Sequence, residues 1–223
     1  RSWSKNDKED VKSKISMAIR FASIVSFPCA VGLAVISVPI MSILFEVKEN
    51  ALLAAYIMII GSSVVVFYSI STVTNAILQG TSHMHLPVLN AFISLILHSF
   101  LLFILLTVFK LNVAGLVLGN IFFALSMCIL NARSIRIKLH YKQEMIKTFL
   151  MPFICSGIMG IAAYISYILV PRFSSSRVML IIVPMAVAIP VYVILLIGTK
   201  TITKNEILQM PKGRGIVKVL QKV

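Results

Sequence analysis

The chain alternates between long apolar runs and short polar connectors. A polar segment over residues 1–20 is followed by six runs without Asp, Glu, Lys or Arg, at about residues 21–45, 51–79, 87–109, 113–130, 148–170 and 178–198. Because roughly 20 helical residues cross a hydrocarbon core of about 30 Å, each run is long enough to span a bilayer. Lipid cannot satisfy backbone polar groups, which favours helices, and the ten-residue alternation of barrel strands is not seen. The pattern predicts an all-α polytopic membrane protein with a six-helix transmembrane domain over residues 21–198.

Composition supports lipid as the main solvent of this chain. Of its 223 residues, 59% are hydrophobic and 13% are charged, whereas soluble domains have roughly 45–50% apolar and about 25% charged residues. Such an apolar chain also falls outside the class of disordered proteins. The net charge of +14 could suggest nucleic acid. The basic residues, however, are confined to short blocks between apolar runs, so we expect an anionic leaflet and no nucleic acid as the partner.

The basic residues also predict the orientation of the chain. With six spans, both ends lie on one side of the membrane, together with the connectors 80–86 and 132–147. That side carries 17 of the 21 Lys and Arg residues, and the opposite side carries four. By the positive-inside rule, both ends are expected to be cytoplasmic. Residues 1–20 would then form a cytoplasmic polar segment. Residues 199–223 would form a basic amphipathic tail on the inner leaflet, with a partly disordered tail as the alternative.

The chemistry of the spans argues against an enzyme. No span contains the Asp or Glu that would mark an ion-coupling site. The few acidic residues are scattered and do not form the pairs that acid–base catalysis needs, and no metal-ligand cluster accompanies His83 and His85. We therefore predict no enzyme activity, no cofactor and no metal.

Two stripes of neutral polar residues mark the second and third spans. The stripe of the second span consists of Tyr68, Thr72, Asn75 and Gln79. The stripe of the third span consists of Asn90, Ser94 and His98. Steps of three and four place each set on one helical face, and an amide at membrane depth needs either a neighbouring helix or water as its partner. Two interpretations therefore stand: hydrogen bonds between helices, or the lining of an aqueous cavity for a polar substrate, for which these seven residues are the candidates.

Arg20 lies at the cytoplasmic end of the first span. It is a candidate contact for an anionic headgroup or a diphosphate. The alternative is an anchor that extends its charge to the membrane surface.

Several segments, in a fixed order, resemble a known family. They are the stretch from Ile19-Arg20-Phe21 to Pro28, then Gly32-Leu33, Pro39-Ile40, Ile43-Leu44-Phe45, Ser71 through Gly80 followed by Pro87 and Asn90, Leu111 through Gly115, and Met210 through Gly213. Together they resemble the polysaccharide-type lipid-linked sugar flippases of the multidrug/oligosaccharidyl-lipid/polysaccharide exporter superfamily. Within that family they are most similar to the C-terminal part of the stage V sporulation protein B branch of Gram-positive bacteria.

The resemblance implies an architecture of about fourteen helices in two lobes around a central cavity, with this chain as most of the C-terminal lobe. A missing N-terminal lobe would then be a partner and would hold the expected diphosphate-binding arginines. The implied activity is alternating-access flipping of a lipid-linked saccharide, such as a peptidoglycan precursor, across a bacterial plasma membrane. The alternatives are a drug or metabolite exporter of the same superfamily and a non-transporting membrane scaffold for cell-envelope synthesis.

Overall fold

In a computed structural model, the described part of the chain forms six long helices. The structure describes residues 8–45, 47–172 and 178–199. The long helices are α1 (Lys8–Leu44), α2 (Lys48–Gly80), α3 (His85–Thr107), α4 (Asn112–Leu139), α5 (Met151–Leu169) and α6 (Met179–Gly198). A π-helical turn, Ile146–Leu150, precedes α5, and a 3₁₀ turn, Val170–Arg172, follows it. The described ranges contain helices and no strand, which confirms the predicted all-α class.

All six helices are long and apolar enough to cross a membrane. Their number equals the number of uncharged runs in the sequence, so the prediction of a six-span bundle is confirmed. The division of the chain into cytoplasmic segments and a transmembrane domain stays a prediction. The predicted amphipathic tail, apart from Thr199, lies outside the described residues.

Helix α1 is longer than the apolar run that predicted it. It has 37 residues, about 55 Å at 1.5 Å per residue, and begins within the segment that we expected to be a polar extension. Apolar residues recur there at every fourth position, at Val11, Ile15 and Ile19. They form a buried cluster with apolar residues of α2, α4 and the connector after α4, namely Leu78, Ile135, Leu139 and Tyr141. Burial of this one face stabilises the extra helical turns.

Helix α4 lies between α2 and α3 and contacts both, while α2 and α3 barely touch each other. It also continues past the predicted end of the fourth run, residue 130, to Leu139. His140 then adopts a left-handed conformation with φ 48°, which ends the helix and turns the chain. The helix thereby carries the basic residues after position 130 on its last turns.

Helices α5 and α6 pack together against α1. The Tyr192 hydroxyl of α6 donates a hydrogen bond to the Ile24 carbonyl of α1 at 2.7 Å. On α5, a Cβ atom added to Gly160 would overlap the side chain of Val31. Helices α1 and α5 can therefore approach this closely because residue 160 is glycine.

Candidate functional site

A cavity of about 1440 Å³ lies between α1, α2, α4 and α5. Apolar side chains of all four helices form most of its wall, among them Phe27, Val31, Val35, Val66, Ile70, Leu125, Phe153 and Ile161. On α2 the lining extends from Ile59 to Thr74, a helical rise of about 22 Å. The cavity thus follows much of the thickness of a bilayer core of about 30 Å, and its wall suits a long apolar chain.

Three cations line the cavity at the end where α4 terminates. Arg133 and Arg136 lie on the last turns of α4, and Lys142 lies on the connector that follows. A spacing of three residues places the two arginines on one helical face, the same face that lines the cavity with Ile129. The described residues of the lining include no Asp or Glu. This end of the cavity therefore has a positive potential that attracts anions.

The predicted polar stripes meet on α4, at Asn131. This side chain is fully buried, and its Nδ2 donates hydrogen bonds to Asn75 Oδ1 at 2.8 Å and Thr74 Oγ1 at 3.0 Å. Its Oδ1 accepts a hydrogen bond from Asn90 Nδ2 at 2.9 Å. Asn90 Nδ2 also donates to Ser134 Oγ of α4 at 3.1 Å. Asn75 of α2 and Asn90 of α3 are thus joined through α4. For these two residues the geometry favours the interpretation as hydrogen bonds between helices.

His98 and Ser94 continue the α3 stripe along the same interface. His98 Nδ1 lies 2.9 Å from the Gly119 carbonyl oxygen of α4, and a Cβ atom on Gly119 would come within 3.0 Å of the imidazole. Glycine at this position therefore makes room for the histidine. Ser94 is fully buried.

The remaining residues of the α2 stripe are exposed in the bundle. Tyr68 packs obliquely on Phe123 of α4, with ring centroids 6.3 Å apart, while Thr72 and Gln79 face outward. All seven residues of the two stripes lie outside the described lining of the cavity between α1, α2, α4 and α5. A cavity-lining role for them stays a prediction.

Arg20 is buried in the bundle and does not lie at an open surface. Its Nη2 donates to Glu144 Oε2 at 3.3 Å, so the guanidinium joins α1 to the connector between α4 and α5. Its predicted contact with a headgroup stays a prediction.

Sequence reasoning missed Asn131, Arg133, Arg136 and Lys142 as site residues because it ended the fourth span at the first charges. A signal was nevertheless present. Leu125, Ile129, Ala132 and Arg136 recur at steps of three and four, and this periodicity continues the helical face into the basic block.

Among the described residues, no group of three or more His, Cys, Asp and Glu side chains could hold a metal ion. In comparisons with known proteins, a family model described as "Lipid II flippase MurJ" matches residues 1–203. No curated protein and no solved structure matches the chain.

Proposed function

Because the chain belongs to the family of the lipid II flippase MurJ, we propose that its long cavity serves the transfer of a lipid-linked saccharide between leaflets. The membership confirms the predicted function of a lipid-linked saccharide flippase and the predicted superfamily, and it does not favour the drug exporter or the scaffold. The family is one of transporters, in agreement with the absence of enzyme activity that we propose. The resemblance to the sporulation branch stays a prediction.

This proposal rests on the family match over residues 1–203. The cavity supports a more specific proposal about which residues contact the substrate. We propose that Arg133, Arg136 and Lys142 bind the diphosphate of the substrate, a role that the resemblance had led us to expect of arginines in the other lobe. Guanidinium groups bind phosphate oxygens through two parallel, charge-assisted hydrogen bonds, and an ammonium binds them as a compact charge. The apolar wall of the cavity would then contact the isoprenoid chain, whose burial there leaves no polar group unsatisfied.

Alternating access is the proposed mechanism of transfer. A free saccharide cannot cross the hydrocarbon core, because each polar group without a partner there costs several kcal/mol, of the order of 2–7. A shielded path that opens to one side at a time avoids this cost. Pro28 and Pro39 within α1, and Pro184 and Pro190 within α6, each remove a helical hydrogen bond and provide positions at which these helices can bend.

The function can be tested by reconstituting the complete gene product into liposomes that contain a long-chain polyprenyl diphosphate saccharide with a fluorophore on its sugar. A membrane-impermeant reductant quenches only the fluorophores of the outer leaflet. We expect the protein to bring the inner-leaflet fluorophores within reach of the reductant, whereas protein-free liposomes keep them protected. An unchanged protected fraction, together with uptake of a cationic drug by the same liposomes, would instead favour the exporter.

The chain is a multi-pass protein of a bacterial plasma membrane. We propose that both ends of the chain, and with them the cationic end of the cavity, lie on the cytoplasmic side. The other proposed partners are the anionic lipids of the inner leaflet and a second lobe of the same protein. The 17 to four distribution of Lys and Arg supports the orientation.

Cysteine labelling of intact cells tests this orientation. In a complete gene product whose native cysteines are replaced, Lys48→Cys should react with a membrane-impermeant maleimide added outside. Lys138→Cys should react only after permeabilisation. Both residues are exposed in the bundle, so labelling of both from the same side would contradict the proposed topology.

A further inference from the structure

The connector between α4 and α5, residues 140–145, borders the cationic end of the cavity, and the amide of Gln143 joins its first half to the turn that precedes α5. Gln143 Oε1 accepts a hydrogen bond from the Tyr141 hydroxyl at 2.6 Å. Gln143 Nε2 donates to Thr148 Oγ1, also at 2.6 Å. Thr148 is fully buried within the π-helical turn before α5. Both polar atoms of the Gln143 amide are therefore bonded, and these contacts restrain the backbone beside it.

Tyr141 is a dependable donor in this arrangement. Burial raises the pKa of its phenol above the ordinary value, with a hydrogen bond to Ser16 and the charge of Arg20 acting in the opposite direction. A tyrosine hydroxyl is protonated at neutral pH even at its ordinary pKa of about 10, and here it donates to Gln143.

Glu144 attaches the same connector to α1. Its Oε2 accepts from Arg20 Nη2 and its Oε1 lies 3.3 Å from Lys147 Nζ at the start of the π-helical turn. The Arg20 side chain is 9% exposed, so this ion pair is shielded from solvent on one side and is screened less than a surface pair. The connector is thus held by α1 through Glu144 and by the segment leading into α5 through Gln143.

Lys142 lies between these contacts, with Tyr141 before it and Gln143 and Glu144 after it. It lines the cavity with the two arginines of α4, and so do Tyr141 and Gln143. We propose that Gln143 and Glu144 are positioning residues. They hold the backbone of the connector so that the Lys142 ammonium completes the cationic site for the phosphate groups of the substrate.

The physical reason is preorganisation. A lysine has a flexible four-carbon stem, and ordering both it and a mobile backbone upon binding would reduce the affinity. With the backbone already fixed, only the side chain is ordered when the phosphate binds. This inference rests on the proposed function, because it takes the cationic end of the cavity as the phosphate site.

The test uses the complete gene product in detergent and two probes, a long-chain polyprenyl diphosphate and the uncharged polyprenol of the same chain length. Gln143→Leu removes both amide hydrogen bonds and is expected to weaken diphosphate binding about two- to threefold, less than loss of the Lys142 contact itself, without weakening the binding of polyprenol. Glu144→Gln, which removes the ion pair but retains the size of the side chain, should act in the same direction, even though the loss of a carboxylate beside the site by itself favours an anion. His140→Asn, on the same connector and compatible with its left-handed backbone, is the matched control and should bind like the wild type.

A double substitution separates positioning from a general structural role. In a Lys142→Gln background, Gln143→Leu should cause no further loss of diphosphate binding, because its effect passes through Lys142. Hydrogen exchange of residues 140–145 should rise in Gln143→Leu and Glu144→Gln but not in Lys142→Gln.

Three outcomes overturn the inference. They are wild-type diphosphate affinity in both single variants, an undiminished loss in the Lys142→Gln background, and unchanged hydrogen exchange of the connector. If Gln143→Leu does not fold, Glu144→Gln supplies the same comparisons. A wild-type protein that fails to bind the diphosphate overturns the proposed phosphate site itself, and this inference with it. Wild-type binding with no effect of the variants overturns only the positioning role.

Discussion

Replacing the three cations at the end of the cavity, as Arg133→Gln, Arg136→Gln and Lys142→Gln together, is expected to weaken the binding of a polyprenyl diphosphate by about a hundredfold. All three side chains are exposed, so we take about 1 kcal/mol for each contact with the anion after screening by solvent. A total near 3 kcal/mol corresponds to about two powers of ten in the dissociation constant. The change in the dissociation constant can be measured by equilibrium binding of the labelled lipid to the complete gene product in detergent.

Lys138→Gln is the matched control for this triple variant. Lys138 is an exposed cation on the same end of α4, but it does not line the cavity, so its neutralisation should leave the affinity almost unchanged. The triple variant should also keep its affinity for the uncharged polyprenol and lose most of its salt dependence. A loss in Lys138→Gln equal to that in Arg133→Gln, Arg136→Gln or Lys142→Gln alone would mean that net charge, and not the site, attracts the lipid.

Asn131→Leu is expected to destabilise the bundle by about 2–3 kcal/mol, because Asn75 of α2 and Asn90 of α3 both lose their hydrogen bonds to it. Asn131 is fully buried and bonds to Thr74 and Asn75 of α2 and to Asn90 of α3. Hydrogen bonds between membrane helices average only about 0.6 kcal/mol each. The larger expected effect comes from the groups that lose Asn131 as a partner, above all the half-buried Asn75 amide oxygen, whereas Asn90 keeps its hydrogen bond to Ser134. Thermal unfolding in detergent, followed by circular dichroism, should show a midpoint roughly 5–10 °C lower.

Asn120→Leu provides the comparison for this prediction. Asn120 is exposed on the same helix, so the identical substitution there should leave the unfolding midpoint close to that of the wild type. If Asn131→Leu unfolded at the same temperature as Asn120→Leu, the cluster centred on Asn131 would not stabilise the contact of α4 with α2 and α3.

The class of the fold was predictable because it depends on a property that each segment has by itself. An uncharged run such as residues 87–109 is stable in lipid only as a helix that satisfies its own backbone, whatever its neighbours are. Six such runs therefore predicted six helices, and the structure contains them.

The ends of the helices were less predictable. The spans were predicted as uncharged runs, which end at the nearest charged residues, whereas a helix can continue through charged residues. Around residues 9–14, acidic and basic residues alternate in sequence with the apolar face of Val11, Ile15 and Ile19, so hydropathy alone does not reveal it. After residue 130, basic residues have the same effect on the last turns of α4. In both places the charged side chains point away while the apolar face is buried in one cluster. An amphipathic reading of these polar blocks would have extended both helices.

The polar stripes show the same limit for the candidate site. Their spacing predicted that Asn75 and Asn90 each lie on a polar helical face, but it could not identify the helix that this face meets. Asn131, the residue that joins them, is a single amide at the end of an apolar run and belongs to no stripe. Only the packing of α4 between α2 and α3 identifies it.

From the sequence alone follow the lipid environment, the number of helices and the one-sided distribution of basic residues, because hydropathy, length and charge are properties of single segments. The tertiary structure decided which helices are neighbours, which polar faces satisfy each other and where four helices leave a cavity with Arg133, Arg136 and Lys142 at its end. These features depend on contacts between residues 41 to 168 positions apart in the chain, and a periodicity of 3.6 residues contains no information about such distant partners.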